Sequence, residues 1–428
     1  MTQGAPAPLQ TAQLAARASV IVVSRHRPEA LVRCLTALRQ LDHPSFEVVV
    51  VACPAGAAAA AGFPCKLIPF DLPNISVARN LGLAAAAAPL VAFLDDDAVP
   101  EPSWLTRLLA PFSHPDVLSS GGYVRGRDGL RFQWRARWCN RCGESFDLDL
   151  PPLPAGETAH LLPAPPEGAI RTEGTNCAFR AAALAAIGGF DPGYAFYLDE
   201  TDVNLRMAAL PGALTAIVPG AQVHHGFAES RQRRPDRVPR SLYDIGASSA
   251  HFWAKHTPEP DRAGARARLR QAQFNRLIRH MISGALEPRE VAPLMQTFDQ
   301  GLQAAPQPLS HPLAGSSPAI SPAPENPMPF APYPAHAGPG LVLTGRPARE
   351  QALRRKAAHA AAAGQIVTLM ILSRSGRRLR LSFQPEGFWL LSGGIWGPSA
   401  ERRRVPALSF AQRISVEILQ LKQTRPIA

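Results

Sequence analysis

Apolar positions in the first half of the chain come alternately in short β-branched runs and on helical faces. Ser19-Val-Ile-Val-Val23 is a run of the kind found in strands buried on both faces of a parallel sheet. Pro28 opens a helix, where its missing N–H costs nothing, and Leu31, Cys34, Leu35, Leu38 and Leu41 fall on one face of it. Glu47-Val-Val-Val-Val51 predicts a second strand and Lys66-Leu-Ile68 a third. Asn74 to Ala87 is built of strong helix formers and stops before Pro89, and Leu90 to Leu94 is a further strand. A helix over Ser103 to Phe112 leads into a strand over Val117 to Arg125, and residues 126–170 show no period and are expected to be an irregular insertion. Gly174 to Arg180 reads as a strand and Ala181 to Ile187 as a helix stopped by Gly188-Gly189. Leu214 to Val218 is a short strand, with His224-His225 beyond it.

This succession predicts an α/β fold with a mostly parallel central sheet and helices on both faces. Its domain is expected to span 18–236, after a disordered N-terminus at 1–17. Residues 237–303 have a basic, helical pattern, and 304–340 are so rich in Pro, Ala and Ser that they predict a stiff disordered linker. Residues 341–428 carry an Ala/Arg helix, strands at Ile366 to Leu372 and Leu379 to Phe383, and a Gly/Trp hairpin around Trp389 to Trp396. They predict a small C-terminal α+β domain whose role the sequence leaves open.

With 428 residues and 46% hydrophobic content, the chain can bury a sizeable core. The net charge of +12 suggests nucleic acid, yet it is almost all Arg and is spread rather than blocked. No nucleic-acid reader motif is present, so most of the excess reads as compositional bias, with a basic face for anionic lipid or a phosphorylated acceptor as the alternative. No apolar stretch approaches the roughly 18 residues of a membrane span, and Met1 to Arg17 lacks a signal-peptide pattern. The six cysteines, at 34, 53, 65, 139, 142 and 177, then read as free thiols of a cytoplasmic protein. Cys139-Asn-Arg-Cys142 has half of a zinc spacing without a second pair, so structural zinc and plain thiols both stay open. The stretch Arg131 to Trp138 could stack on a base or sugar, or lie against the sheet or a membrane.

The chemistry gathers in two acidic clusters. Asp95-Asp96-Asp97 sits at the exit of the Leu90 to Leu94 strand, on the edge where α/β sheets bind ligands. Adjacent carboxylates repel, and a hard cation such as Mg²⁺ or Mn²⁺ carrying phosphate relieves them; a solvated acidic turn would do so as well. Asp199-Glu200-Thr201-Asp202 opens a helix, where the dipole favours carboxylates, and Asp202 can pair with Arg206 one turn on. One of these carboxylates could take a proton from a hydroxyl.

In order along the chain, these pieces resemble family 2 glycosyltransferases, the inverting enzymes of the GT-A fold. The likeness rests on Ser19 to Glu29, Ile75-Ser-Val-Ala-Arg-Asn-Leu-Gly82, and Val91 to Pro100 with Trp104. It continues in Gly174-Thr-Asn-Cys-Ala-Phe-Arg180, Ile187 to Asp191, and Leu198 to Arg206. The resemblance implies Asp95 and Asp97 as the Asp-x-Asp pair holding Mn²⁺ or Mg²⁺, with His225, or alternatively His224, completing the metal site. It implies that Ser24, Glu29, Arg79, Asp95, Asp96 and Asp97 meet a nucleotide-diphospho-sugar donor, and that Trp104, Thr175, Asn176 and Asp202 lie toward the acceptor. Glu200 would be the catalytic base, with Asp199 the alternative. The acceptor would be a hydroxyl of a glycan, glycolipid or other molecule, and surface glycan synthesis the setting. One departure is that Val51-Ala52-Cys53-Pro54 stands where the family commonly has an Asp that holds the nucleobase; Glu29 or the basic loop before it could substitute. The rival readings are a nucleotidyltransferase, which wants a Gly-rich loop that Ser24 to Glu29 lacks, and a non-catalytic member binding sugar nucleotide or a partner.

Overall fold

The β-branched runs form the middle of one large sheet, and their alternate side chains feed two separate cores. A computed structural model of the chain describes residues 16–226, 234, 236–304, 328–336, 338–399 and 408–427. Its first elements are β1 (Ala18–Ser24), α1 (Pro28–Leu38), β2 (Phe46–Ala52), α2 (Pro54–Ala60) and β3 (Lys66–Pro69). Then come α3 (Ile75–Ala85), β4 (Leu90–Asp95), β5 (Ala98–Pro100), α4 (Trp104–Leu109) and β6 (Val117–Arg125). Val20, Val22, Val48, Val50 and Leu94 meet Leu31, Leu35 and Leu38 of α1 and Trp104 and Leu108 of α4 on one side. Ile21, Val49, Val91 and Phe93 point the other way. They pack on α3, α5 (Ala181–Ala186) and α6 (Asp199–Ala208) through Leu83, Leu184, Val203 and Met207.

Gly82 shows how closely the layers approach, because a Cβ there would stand 2.4 Å from Cγ2 of Ile21. Asn74 caps α3, its side chain accepting from the Val77 N–H at 3.0 Å.

The expected irregular insertion is instead strand-rich. It contains β7 (Phe132–Trp134), β8 (Arg137–Asn140), β9 (Ser145–Asp147), β10 (His160–Pro163) and β11 (Gly168–Arg171). These strands are three or four residues long, too short for a period-2 pattern to register. β12 (Cys177–Arg180) and β13 (Leu214–His225) complete the main sheet, whose order is β10-β13-β6-β12-β4-β1-β2-β3, with β5 on β13 and β7 on β6. β1 runs parallel to β2 and β4, and β13 parallel to β6, whereas β12 is antiparallel to both its neighbours. A second sheet orders β11-β8-β9. The tryptophans of the Arg131 to Trp138 stretch pack on the chain itself, Trp138 stacked on Phe146 and Trp134 under Arg137 and Arg171, while Arg131, Gln133 and Arg135 are exposed.

The basic helical region is α7 (Tyr243–His256), α8 (Glu259–Ile282) and α9 (Pro288–Gln303). None of the described helices is long and apolar enough to cross a membrane. The C-terminal segment has a sheet of its own, ordered β14-β15-β17-β16. These strands are β14 (Leu341–Gly345), β15 (Val367–Ser373), β16 (Arg380–Phe383) and β17 (Trp389–Gly394), with α10 (Glu350–Ala362) and α11 (Phe410–Leu421). That domain is docked on the first one, since Ala37 and Val99 share a core with Met370, Leu381 and Trp389. The expected disordered N-terminus lies outside the described residues up to residue 15, as do 305–327 and 337 of the expected linker. Residues 328–336 do not behave as a linker. The Tyr333 N–H donates to Phe46 O at 2.8 Å and its hydroxyl to Leu35 O at 2.9 Å.

One charged pair is sealed at this seam. Glu47, fully buried in β2, meets Lys66 Nζ at 2.9 Å and accepts from the Ser19 hydroxyl and the Ala87 and Ala331 N–H groups. Lys66→Met would strand that carboxylate, which costs about 3–5 kcal/mol, read by urea denaturation. Adding Glu47→Gln should recover most of the loss.

Candidate active site

Three adjacent aspartates leave β4, and the turn sends them to different surroundings. Asp95 and Asp97 are turned to one side with His225, and one ligand atom from each lies within 4.8 Å of the others. His225 Nε2 is 3.2 Å from Asp97 Oδ1. Asp96 is instead fully buried, with Arg27 Nη2 2.5 Å from its Oδ1 while Arg27 Nη1 reaches Asp97 at 3.3 Å. Burial pushes the Asp96 carboxyl up to about 7 with help from Asp97 and Asp95, even against Arg27.

The second cluster is delivered by a strained backbone. Tyr197 and Leu198, at φ 81° and 66°, are consecutive left-handed residues directly before α6. Such conformations cost roughly 1–3 kcal/mol each and concentrate where a site demands them. They turn Asp199 onto Arg79, which is 4% exposed and also lies 3.6 Å from Asp95 and donates to Gly174 O. Arg79 was expected against the donor; its guanidinium is used to join the two acidic clusters. Glu200 meets Arg171 Nη2 at 2.9 Å, and its side chain is 13% exposed against 4% for Asp199. Burial, opposed by Arg79 and reinforced by Glu200, raises Asp199. Burial also works against charge on Glu200, but Arg171 and the hydrogen bond with Asp199 outweigh it and hold that carboxyl below its ordinary value. Glu200 is therefore the ionised, more open member of the pair.

Glu173 belongs here and was missed in the sequence. Its Oε2 is buried without a hydrogen-bond partner, and burial raises the carboxyl to about 7 within the fields of Arg171, Glu200, His225 and Asp95. Only its place one residue before Gly174-Thr-Asn176 could have signalled it. Arg27 was likewise legible only as part of a basic loop.

Several expected residues are scaffold. Trp104 is fully enclosed and its Nε1 donates to Asn176 Oδ1 at 2.7 Å; Asn176 in turn ties Tyr123 O and Ala221 O. Neither faces an acceptor. Asp202 pairs with Arg206 as expected and also with Lys255 and His256 at 2.7 Å, with no exposure left for an acceptor. Thr175 is 3% exposed and its hydroxyl has no partner. Ser24 is buried beside Asp96 rather than open to a donor. Glu29 is exposed in the first turn of α1.

His224 cannot replace His225. β13 runs on past Val218 through both histidines, so the strand's alternation turns His224 away, with Nε2 2.7 Å from Glu101 Oε1. Where the nucleobase Asp is missing, Cys53 at the end of β2 accepts from the His26 N–H, and Asp71 from beyond β3 pairs with Arg25 and His26. Cys139 Sγ is 3.7 Å from Ala169 O, and among the described residues neither it nor Cys142 joins a metal-type cluster. All six cysteines are free thiols.

Two carboxylates and an imidazole form a hard-to-borderline donor set that suits Mn²⁺ or Mg²⁺. Burial opposes charge on His225, but Asp97 outweighs it and raises the imidazole's proton affinity, a proton that a cation would replace. Around this edge the carboxyls of Asp95, Asp96, Asp97, Glu173, Asp199 and Glu200 outnumber the guanidiniums of Arg27, Arg79 and Arg171 beside them. The residues fit a divalent cation.

Residues 19–186 match the family model described as glycosyl transferase family 2. The pre-mycofactocin glycosyltransferase of Mycobacterium tuberculosis strain H37Rv is 29% identical over 253 residues, covering 56% of this chain and 48% of that protein. The protein of that name from strain CDC 1551 matches to the same degree, so the chain spans about half the length of the curated relatives it matches. Similar solved structures include GalNAc-T7 with UDP, GalNAc and Mn²⁺, at TM-score 0.40 and 16% identity over 50% of this chain and 44% of that one. Another is the mannosyltransferase PcManGT from Pyrobaculum calidifontis with GDP-Man and Mn²⁺, at TM-score 0.39 and 17% identity over 69% and 82% of the two chains. With its mostly parallel sheet and the Asp-x-Asp exit of β4, the segment 19–186 matches glycosyl transferase family 2 and has a GT-A-like α/β fold.

Proposed function

We propose that the protein is an inverting, metal-dependent glycosyltransferase that moves a sugar from a nucleotide-diphospho-sugar to an acceptor hydroxyl. The observation that carries this reading is the meeting of Asp95, Asp97 and His225 at one sheet edge, joined through Arg79 to the Asp199–Glu200 pair. Asp95, Asp97 and His225 would hold Mn²⁺ or Mg²⁺, which supplies Lewis-acid neutralisation of a diphosphate leaving group. Arg27, beside Asp96 and Asp97, adds positive charge where the diphosphate would lie.

Glu200 is the base. Ionised and partly open, it takes the acceptor's hydroxyl proton as that oxygen bonds to the anomeric carbon. The bond from that carbon to the diphosphate breaks with its electron pair going to the nucleotide, so the configuration inverts. Arg171 keeps Glu200 aimed and charged. Surface glycan or glycolipid synthesis is the setting we infer, and pre-mycofactocin, from the name of the mycobacterial relatives, is a specific acceptor to try. Contact with anionic lipid is part of the same reading, supported by the net charge of +12 and by α8, where Phe274 and Ile282 are exposed among arginines.

Calorimetry with UDP- and GDP-sugars should give binding that depends on Mn²⁺, and Asp97→Asn should weaken Mn²⁺ binding by at least about tenfold. Unchanged metal affinity would remove Asp97 from the site. Glu200→Gln should retain donor binding and lose about 10²–10⁴-fold in kcat, measured as nucleoside diphosphate released with acceptor present. Retained turnover would move the base elsewhere.

A further inference from the structure

The end of β13 carries two histidines that face opposite ways, and only one of them belongs to the metal-type cluster. His225 and His224 pair across the sheet with Ala98 and Val99 of β5, and the Gly226 N–H donates to Asp97 O at 2.8 Å. The same short ladder therefore sets the spacing of Asp97 and His225. On its other face His224 meets Glu101, whose N–H donates to Gln222 O at 3.0 Å and closes the ladder.

What holds Glu101 comes from the far end of the chain. Arg425 donates to it twice, Nε to Oε2 at 2.7 Å and Nη2 to Oε1 at 2.8 Å. Such a two-pronged pair fixes orientation as well as charge. The third prong of Arg425 reaches Thr368 Oγ1 at 3.0 Å, and its guanidinium lies 4.0 Å over Trp389. The same Trp389 ring is 4.9 Å from His224, and its Nε1 donates to Gln40 of the first domain. Side-chain exposure is 0% for Arg425 and 2% for Glu101, so the network is sealed from solvent and from any donor. Buried pairs of this kind are seldom kept for stability, since apolar side chains pack as well; fixing one geometry is their better-attested use.

We propose that Arg425 is a positioning residue for the metal site. By clamping Glu101 and His224 it sets the β5–β13 ladder, and the C-terminal domain thereby controls how tightly Asp97 and His225 bind a divalent cation. The inference rests on the metal reading of Asp95, Asp97 and His225 given above.

The test is titration of the full chain with Mn²⁺ alone, following the free-ion paramagnetic resonance signal. Arg425→Lys keeps the charge but not the fork, and the double variant Glu101→Gln, Arg425→Met leaves no orphaned buried charge. Both should weaken Mn²⁺ binding by about ten- to a hundredfold, the range for residues that orient metal ligands. The control is Arg413→Met, which removes a different buried pair, with Glu417 at 2.9 Å, in α11 of the same domain. It should lower the unfolding temperature and bind Mn²⁺ as the wild type does. Wild-type affinity in the Arg425 variants, or equal weakening in Arg413→Met, overturns the inference. A wild-type chain that binds no Mn²⁺ overturns the metal reading beneath it.

Discussion

The site depends on Arg79. Its buried guanidinium lies between Asp95, at the end of β4, and Asp199, at the start of α6, two carboxylates that would otherwise repel each other and the acids around them. Removing it would leave the buried Asp199 without its partner, a larger cost than any single surface pair can carry. Its position also explains Gly82 and Asn74. The capped helix that presents Arg79 must lie tight on β1 for the guanidinium to reach between β4 and α6. The stretch from Asn74 to Gly82 is in that sense one mechanical unit, with a cap, a bridging cation and a close-packed glycine.

Several of the chain's arginines are used inside the fold. Arg180 alone donates to the carbonyls of Val117, Phe112 and His114. Arg171 steadies Glu200, and Arg27 faces Asp96 and Asp97. A planar, permanently charged fork holds several acceptors in one fixed geometry, which lysine's rotatable ammonium does not. This is why a net charge of +12 does not by itself describe a nucleic-acid surface.

The sheet, its helices and both acidic clusters were legible because each is local: a β-branched run, an apolar helical face, adjacent carboxylates. What escaped was set by distant partners. Asp202 looked available until His256 and Lys255 arrived from α7, and Trp104 until Asn176 closed over its indole. Only the resemblance ranked His225 above His224 while the strand was taken to stop at Val218; carried through to His225, its alternation separates them. Glu101 gave no signal at all, because its partner is 324 positions away. The helix and strands of the C-terminal segment were visible, but their packing against Ala37, Gln40 and Val99 was not.

The central claim is that this acid-rich sheet edge is a cation site serving a diphosphate. Crystals grown with Mn²⁺ and a nucleoside diphosphate, measured at the manganese absorption edge, test it most directly. The account predicts an anomalous peak within bonding distance of Asp95, Asp97 and His225, with phosphate oxygens on its open side. An empty edge, or manganese bound elsewhere, would contradict it.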